Sequence, residues 1–139
     1  NVRLVVAHDP QAPYDKAVHG ILFRQARDLR LRDVEVVWEE PGSEKWESAL
    51  AFDEVADLVL DGVSAVQAPG NASAPAVLLN QVDYAVVRDC RARPGTGPFL
   101  LFTGEGTKDI LLERNDFRRA RLPYSFGNGA SPQALKLGY

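Results

Sequence analysis

The chain has 139 residues, of which 45% are hydrophobic and 25% are charged, and its formal net charge is −3. This length suits one domain with a sizeable core. The slightly acidic balance argues against nucleic-acid binding, which requires a basic surface. No apolar run approaches the ~20 residues of a membrane-spanning helix, and no signal-peptide pattern opens the chain. We therefore expect neither a nucleic-acid nor a membrane partner.

Cysteine and methionine usage adds two expectations. Cys90 is the single cysteine, so the chain cannot form an internal disulfide bond or a cysteine metal cluster. We interpret Cys90 as a small buried apolar residue. The acidic residues around Glu39 and Glu40 lack the ordered ligand spacing of a calcium loop, and we expect no metal and no cofactor. Methionine is absent altogether, which indicates a fragment or a processed chain.

An internal repeat dominates the sequence. Four segments read alike, and Asp28, Asp57, Tyr84 and Asp109 occupy the same place in each, at spacings of 29, 27 and 25 residues. Each unit holds two or three short strand patterns separated by turns, followed by a loop rich in glycine and proline. Leucine-rich repeats share this period, but their asparagine signature and helical return segment are missing. The repeat predicts an all-β fold, a right-handed parallel β-helix of about four to five coils.

Stacking the units predicts columns of apolar side chains that face a continuous core. The inward residues of the first unit are Ile21, Phe23, Leu29 and Leu31. Their predicted counterparts, coil by coil, are Leu50, Phe52, Leu58 and Leu60, then Val77, Leu79, Ala85 and Val87, then Leu100, Phe102, Ile110 and Leu112.

Two further rows support the same alignment. A fifth inward column runs from Val34 through Val63 and Cys90 to Asn115, where a polar residue ends the apolar stack. An outward row alternates in charge, and opposite charges on neighbouring strands contribute about 0.2–1 kcal/mol per pair. This row consists of Arg32, Asp61, Arg88 and Glu113.

The two ends of the sequence predict the domain organisation. The first residues, Asn1–Val6, resemble Asp33–Trp38, so the chain is expected to begin inside a coil and to be the C-terminal fragment of a longer protein. Residues 1–139 then form a single β-helix domain. Residues 120–139 are expected to form a closing cap, because a solenoid needs a distinct terminal repeat.

The strand-turn-strand rhythm resembles the pectate-lyase-like β-helix superfamily. With its Asn1-Val2, Asp33-Val34 and Asp61-Gly62-Val63 strand starts, the chain looks most like the C-terminal part of glycoside hydrolase family 28, the polygalacturonase-like enzymes. The resemblance implies a polysaccharide or oligosaccharide partner. It also implies a full-length protein that is secreted or periplasmic.

The motifs that carry catalysis in that family are not matched here. Hydrolysis of a glycosidic bond requires two carboxylates, and the family's Asn-Thr-Asp and Asp-Asp motifs have no counterpart in this chain. His19-Gly20-Ile21 matches part of the family's Gly-His-Gly motif, but Val18 stands at the position of its first glycine. One coil later, Ala49-Leu50-Ala51 stands where Arg-Ile-Lys is expected, and alanine cannot bind a carboxylated sugar as a cation does. We therefore expect no catalytic residue and no hydrolytic activity in this chain.

Two outward rows define the face where a groove is expected. The first row is apolar and should be covered by another element; it consists of Leu22, Ala51, Leu78 and Leu101. The cover could be the Ala7–Val18 segment, with Pro10, Pro13 and Tyr14 forming an extended strap, the Glu39–Ser48 loop, or a partner chain. The second row is polar and consists of Arg24, Asp53, Asn80 and Thr103.

The candidate carbohydrate-facing residues come from these rows and from their neighbours. They are His19, Arg24, Asp53, Asn80, Trp38 and Trp46. Polar rows can hydrogen-bond sugar hydroxyls, although they can also be a solvated edge. Tryptophans beside a groove can stack on sugar rings, although they can also pack beneath a loop, and His19 can simply cap a turn.

The sequence supports one functional hypothesis with two alternatives. The first is a non-catalytic C-terminal β-helix portion of a polysaccharide-processing, polygalacturonase-like hydrolase, which completes and caps the solenoid, pairs with an upstream part of the same protein and extends its carbohydrate groove. The alternatives are a stand-alone carbohydrate-binding module and a structural assembly unit, which would be an oligomer.

Overall fold

The protein is a parallel β-solenoid of about four turns. The structure, a computed structural model, describes residues 1–11 and 16–138. The predicted all-β fold is confirmed, because the part of the chain so described contains strands and one short 3-10 helix at Pro132–Ala134, but no α-helix.

Eleven strands build the solenoid among the described residues. In chain order they are β1 (Val2–Val6), β2 (Ile21–Arg32), β3 (Val34–Trp38), β4 (Leu50–Asp61), β5 (Ser64–Ala65), β6 (Val77–Arg88), β7 (Arg91–Ala92), β8 (Thr96–Thr103), β9 (Lys108–Glu113), β10 (Ala120–Gly127) and β11 (Leu135–Leu137).

All the strand pairs are parallel, as the stacking of successive coils requires. One sheet has the order β1-β3-β5-β7, and the other runs β10-β8-β6-β4-β2, with β9 paired to β6 and β11 paired to β9. The last strands, β10 and β11, therefore continue the two halves of the long sheet rather than fold back across it.

The three long strands are each bent twice by residues in the left-handed backbone region. The first bend lies at Gln25 in β2, and the second lies at Asp28, where φ is 60°. The second bend lies at the position that defined the sequence repeat. Its counterparts Asp57, Tyr84 and Asp109 also have positive φ. Aspartate adopts this conformation more readily than most residues. The short strands predicted within each unit therefore merge into one bent strand in β2, β4 and β6.

The predicted register is confirmed. Ile21, Leu50, Val77 and Leu100 pair along one column, and the other three inward columns pair in the same way. Their members in β4, β6, β8 and β9 are buried, whereas those in β2 are half-buried. The difference arises because β2 lies at the edge of its sheet and no described strand stacks beyond it.

Asn115 ends the fifth column in the way that the sequence indicated. Its side-chain oxygen accepts a hydrogen bond from the backbone N–H of Cys90 at 2.9 Å, and its amide nitrogen donates to the carbonyl of Val87 at 2.9 Å. The polar side chain thus satisfies two backbone groups of the coil above it. The charged outward row is also in register, and within it Arg88 Nε lies 3.2 Å from Asp61 Oδ2.

Substitution of two adjacent leucines in β6 tests the alternation of inward and outward residues. Leu79 is fully buried, so Leu79→Ala should lower the free energy of unfolding by about 2–5 kcal/mol. Leu78 points outward and is half-buried, and Leu78→Ala should cost about 1 kcal/mol or less. Urea unfolding of both variants measures the difference, and equal losses would contradict the register.

Candidate carbohydrate groove

A groove of about 770 Å³ runs across the strands on one face of the solenoid. Its floor is the outward apolar row, its edge is the outward polar row, and the segment that includes Lys16 and His19 lines it as well. Stacking of the first halves of β2, β4 and β6 and of the end of β8 places equivalent side chains one strand apart along the groove.

The apolar floor is covered unevenly. Ala51 is 1% exposed, and Leu78 and Leu101 are half-buried, but Leu22 is 46% exposed. The expectation that the whole row is mostly buried is therefore wrong at Leu22, which lies on the edge strand β2 with no described coil beside it. Lys16–Val18 lies against the floor, whereas Pro13 and Tyr14 of the predicted strap lie outside the described residues.

The polar edge forms a hydrogen-bonded ladder. Arg24 Nε lies 3.3 Å from Asp53 Oδ2, and the amide nitrogen of Asn80 donates to Asp53 Oδ1 at 2.8 Å. The hydroxyl of Thr103 donates to Asn80 Oδ1, again at 2.8 Å. Each side chain is oriented by the coil next to it, so the predicted polar row of Arg24, Asp53, Asn80 and Thr103 forms one connected ladder.

His19 stands at one wall of the groove and is anchored by backbone contacts. Its Nδ1 accepts a hydrogen bond from the backbone N–H of Ser48 at 3.2 Å. The next residue, Gly20, packs so tightly that a Cβ there would lie 2.6 Å from the carbonyl oxygen of Ala49. Desolvation lowers the pKa of His19, and the nearby Glu47 carboxylate partly opposes that shift. The contact agrees with the turn-capping interpretation of His19.

The two tryptophans do not belong to the groove surface. Trp38 and Trp46 are 9% and 3% exposed, and their rings pack with centroids 5.4 Å apart. The indole nitrogen of Trp38 donates to the carbonyl of Val66 at 2.9 Å. Their assignment as carbohydrate-facing residues is corrected, because both side chains pack in the core, Trp38 at the end of β3 and Trp46 in the loop between β3 and β4.

Other titratable groups offer little chemistry in the described parts of the chain. Burial raises the pKa of the Cys90 thiol to about 11, so this cysteine remains protonated at neutral pH. No three histidine, cysteine, aspartate or glutamate side chains among the described residues are grouped as metal ligands. Asp53 is the one carboxylate among the described residues that line the groove.

Three residues at the site escaped the sequence analysis. Ser48 holds His19 through its backbone N–H, and its own buried hydroxyl has no hydrogen-bond partner. Asn128 lines the groove and accepts a hydrogen bond from the backbone N–H of Gly104 through its carbonyl. Lys16 lines the groove without belonging to any repeat. The Gly127-Asn128-Gly129 turn was a usable signal for Asn128, whereas nothing in the repeat pattern marks the other two.

Comparison with family models, with curated proteins and with solved structures yields no match to this chain. The assignment of the fold therefore depends on the observed strand pairing alone. The described residues contain no helix long and apolar enough to cross a membrane.

The lowered pKa of His19 predicts a pH dependence of stability. Burial favours the neutral imidazole, so the unfolded chain binds more protons than the folded one. The stabilisation is present above the ordinary pKa of 6.5 and is lost as the pH falls below 6.5 toward the folded-state value. Between pH 8 and pH 5.5 the wild-type protein should therefore lose more unfolding free energy than His19→Asn, which keeps a hydrogen-bond acceptor. Urea unfolding measures both, and equal losses would contradict the assignment.

Proposed function

We propose that this chain is the non-catalytic C-terminal β-helix portion of a polysaccharide-processing glycoside hydrolase. The resemblance to the pectate-lyase-like superfamily, and within it to the polygalacturonase-like enzymes, suggests the class of the parent protein. Its role would be to complete the solenoid and to extend the groove along which the polysaccharide lies. The parent protein would be secreted or periplasmic.

The groove between the apolar row and the polar ladder is the observation that carries this proposal. Parallel strands repeat every 4.7–4.9 Å or so, a spacing comparable with the length of one pyranose unit in an extended chain. A polymer of sugars laid across the strands would meet an equivalent set of side chains at each unit. The aliphatic floor suits the C–H face of a sugar ring, and the ladder suits its hydroxyl groups.

The ladder is already organised for such binding. Because Asp53 accepts from Asn80 and Asn80 accepts from Thr103, these side chains lose less rotamer freedom when a ligand arrives. The guanidinium of Arg24 lies at the open end of the ladder, beside Asp53, and its side chain is largely exposed. It can meet the carboxylate of an acidic sugar, since guanidinium and carboxylate groups pair through charge-assisted hydrogen bonds.

The carboxylate count supports a non-catalytic role. An inverting glycosidase holds two carboxyl groups about 6.5–9.5 Å apart, and a retaining one holds them about 5–5.5 Å apart. Asp53 has no carboxylate partner among the described residues that line the groove. Ala49 and Ala51 are buried and uncharged. The chain therefore has no cation at the positions where the polygalacturonase-like family, which it resembles, carries Arg-Ile-Lys.

Titration with short oligosaccharides tests the proposal. Tetragalacturonate, followed by amide chemical shifts, should perturb Ala51, Leu78 and Leu101 and bind in the millimolar range or tighter. Leu101→Asp should weaken binding at least tenfold because it places a charge on the apolar floor. Leu111→Asp is the matched control, since Leu111 is also an outward, half-buried leucine but lies on the adjacent face.

Three results would overturn the proposal, and a fourth would contradict the proposed class of the parent protein. Shift changes that map to the Leu111 face would place the binding surface elsewhere, and equal binding by Leu101→Asp and wild-type protein would remove the groove from it. An absence of shift changes with tetragalacturonate and with cellotetraose, a neutral comparison, would exclude carbohydrate binding. Stronger binding of cellotetraose would keep the groove as the binding surface and contradict the polygalacturonase-like parent.

A further inference from the structure

A tight turn directly after β10 contributes to the lining of the groove. Its two central residues, Asn128 and Gly129, both have a left-handed backbone, with φ of 49° and 88°. The backbone N–H of Ala130 donates to the carbonyl of Gly127 at 3.1 Å and closes the turn. Positive φ at both central residues is typical of a type I′ turn, for which asparagine followed by glycine is a preferred pair. Of these residues, Asn128 lines the groove.

The backbone of this turn accounts for the identity of both central residues. At Gly129 the φ of 88° disfavours any side chain, and a Cβ would lie 2.7 Å from Glu105 Cγ. Asparagine adopts the left-handed region more readily than most residues, which suits position 128. The conformation of the turn therefore favours an asparagine-glycine pair at the groove.

An asparagine that precedes a glycine can react with its own backbone, because glycine has no side chain to hinder the approach. The backbone nitrogen of Gly129 attacks Asn128 Cγ, so that a new C–N bond forms. The bond from Cγ to Nδ2 breaks, and Nδ2 leaves as ammonia with the amide proton. Water then opens the five-membered succinimide. Attack of water at Cγ gives aspartate, and attack at the backbone carbonyl carbon gives isoaspartate. Water is the only co-reactant.

Asn128 differs from the three other asparagines that lie inside the chain. The side-chain nitrogens of those three each donate a hydrogen bond: Asn71 to the carbonyl of Trp46, Asn80 to Asp53, and Asn115 to the carbonyl of Val87. None of the three precedes a glycine. Asn128 is exposed, and neither its side chain nor the backbone N–H of Gly129 is hydrogen-bonded to a described residue. Both reacting groups are therefore accessible.

We propose that Asn128 is a site of spontaneous deamidation, and that its conversion to aspartate or isoaspartate lowers the affinity of the groove for acidic sugars. Either product adds a negative charge to a groove that has Asp53 as the one carboxylate among its described lining residues. Isoaspartate also lengthens the backbone by one carbon, which would displace the Asn128 carbonyl from the N–H of Gly104, now 3.0 Å away. The chemical step is independent of the proposed carbohydrate function, whereas its effect on binding rests on that function.

Incubation of the intact, folded chain at pH 8 tests the chemical step. Peptide mass spectrometry should show deamidation of Asn128 at least tenfold faster than that of Asn71, Asn80 or Asn115, which are the controls within the same molecule. The rate should fall at pH 6, because the attacking amide nitrogen must lose its proton. Methylation by a protein isoaspartyl methyltransferase should label the isoaspartate product. A rate at Asn128 no higher than at the other three would overturn the proposal, since it would mean that the turn prevents ring closure.

Two isosteric substitutions test the effect on binding. Asn128→Asp reproduces one product of the reaction and should weaken tetragalacturonate about threefold or more, because it brings a like charge near the ligand. The loss should shrink as salt is added, and the affinity for neutral cellotetraose should change little. Gln133→Glu is the matched control, since it adds the same charge at an exposed residue that is not among those lining the groove. Wild-type protein aged at pH 8 should behave as Asn128→Asp does.

The two arms separate a failure of this proposal from a failure of the proposed function. If wild-type protein binds tetragalacturonate and Asn128→Asp binds it equally well, the effect of deamidation on the groove is wrong. If the unmodified protein binds neither sugar, the carbohydrate function is wrong and the effect on binding falls with it. Mass spectrometry decides in either case whether Asn128 is a deamidation site.

Discussion

The parallel hydrogen-bonded register between successive coils is the constraint on which the rest of the structure depends. It places each residue directly beside its counterpart one coil away, so apolar residues at equivalent positions stack into buried columns. In one such column, Phe52 and Phe102 lie on either side of Leu79. The same register lines up the outward residues into the floor and the polar ladder of the groove.

Much of this architecture could be predicted because the repeat is visible in the sequence. The spacing of Asp28, Asp57, Tyr84 and Asp109 fixed the alignment, and the columns followed from strict alternation. The reason why these four positions recur could not be predicted. Each of them forms a bend with a left-handed backbone, and the repeat pattern does not show backbone dihedral angles. The third of these positions is Tyr84, with φ of 69°. Because the other three positions are aspartates, the tyrosine makes the shared backbone conformation harder to recognise in the sequence.

The groove was predicted less completely than the core. Arg24, Asp53 and Asn80 could be grouped because they belong to one repeating row. Lys16 and Trp46 could not be placed, since they lie in loops of unequal length between the repeats, and loop conformation depends on tertiary packing. The partial exposure of Leu22 follows from the position of β2 at the edge of the described sheet, which the repeat pattern does not show.

The nuclear Overhauser effects of the Leu79 methyl groups test the register most directly. With leucine methyl groups labelled, the account predicts cross-peaks from Leu79 to the rings of both Phe52 and Phe102, since all three are buried in one column. A one-residue slip would turn Leu79 to the opposite face of its strand. Cross-peaks from Leu78 to those rings, with none from Leu79, would contradict the stacked architecture and the groove built on it.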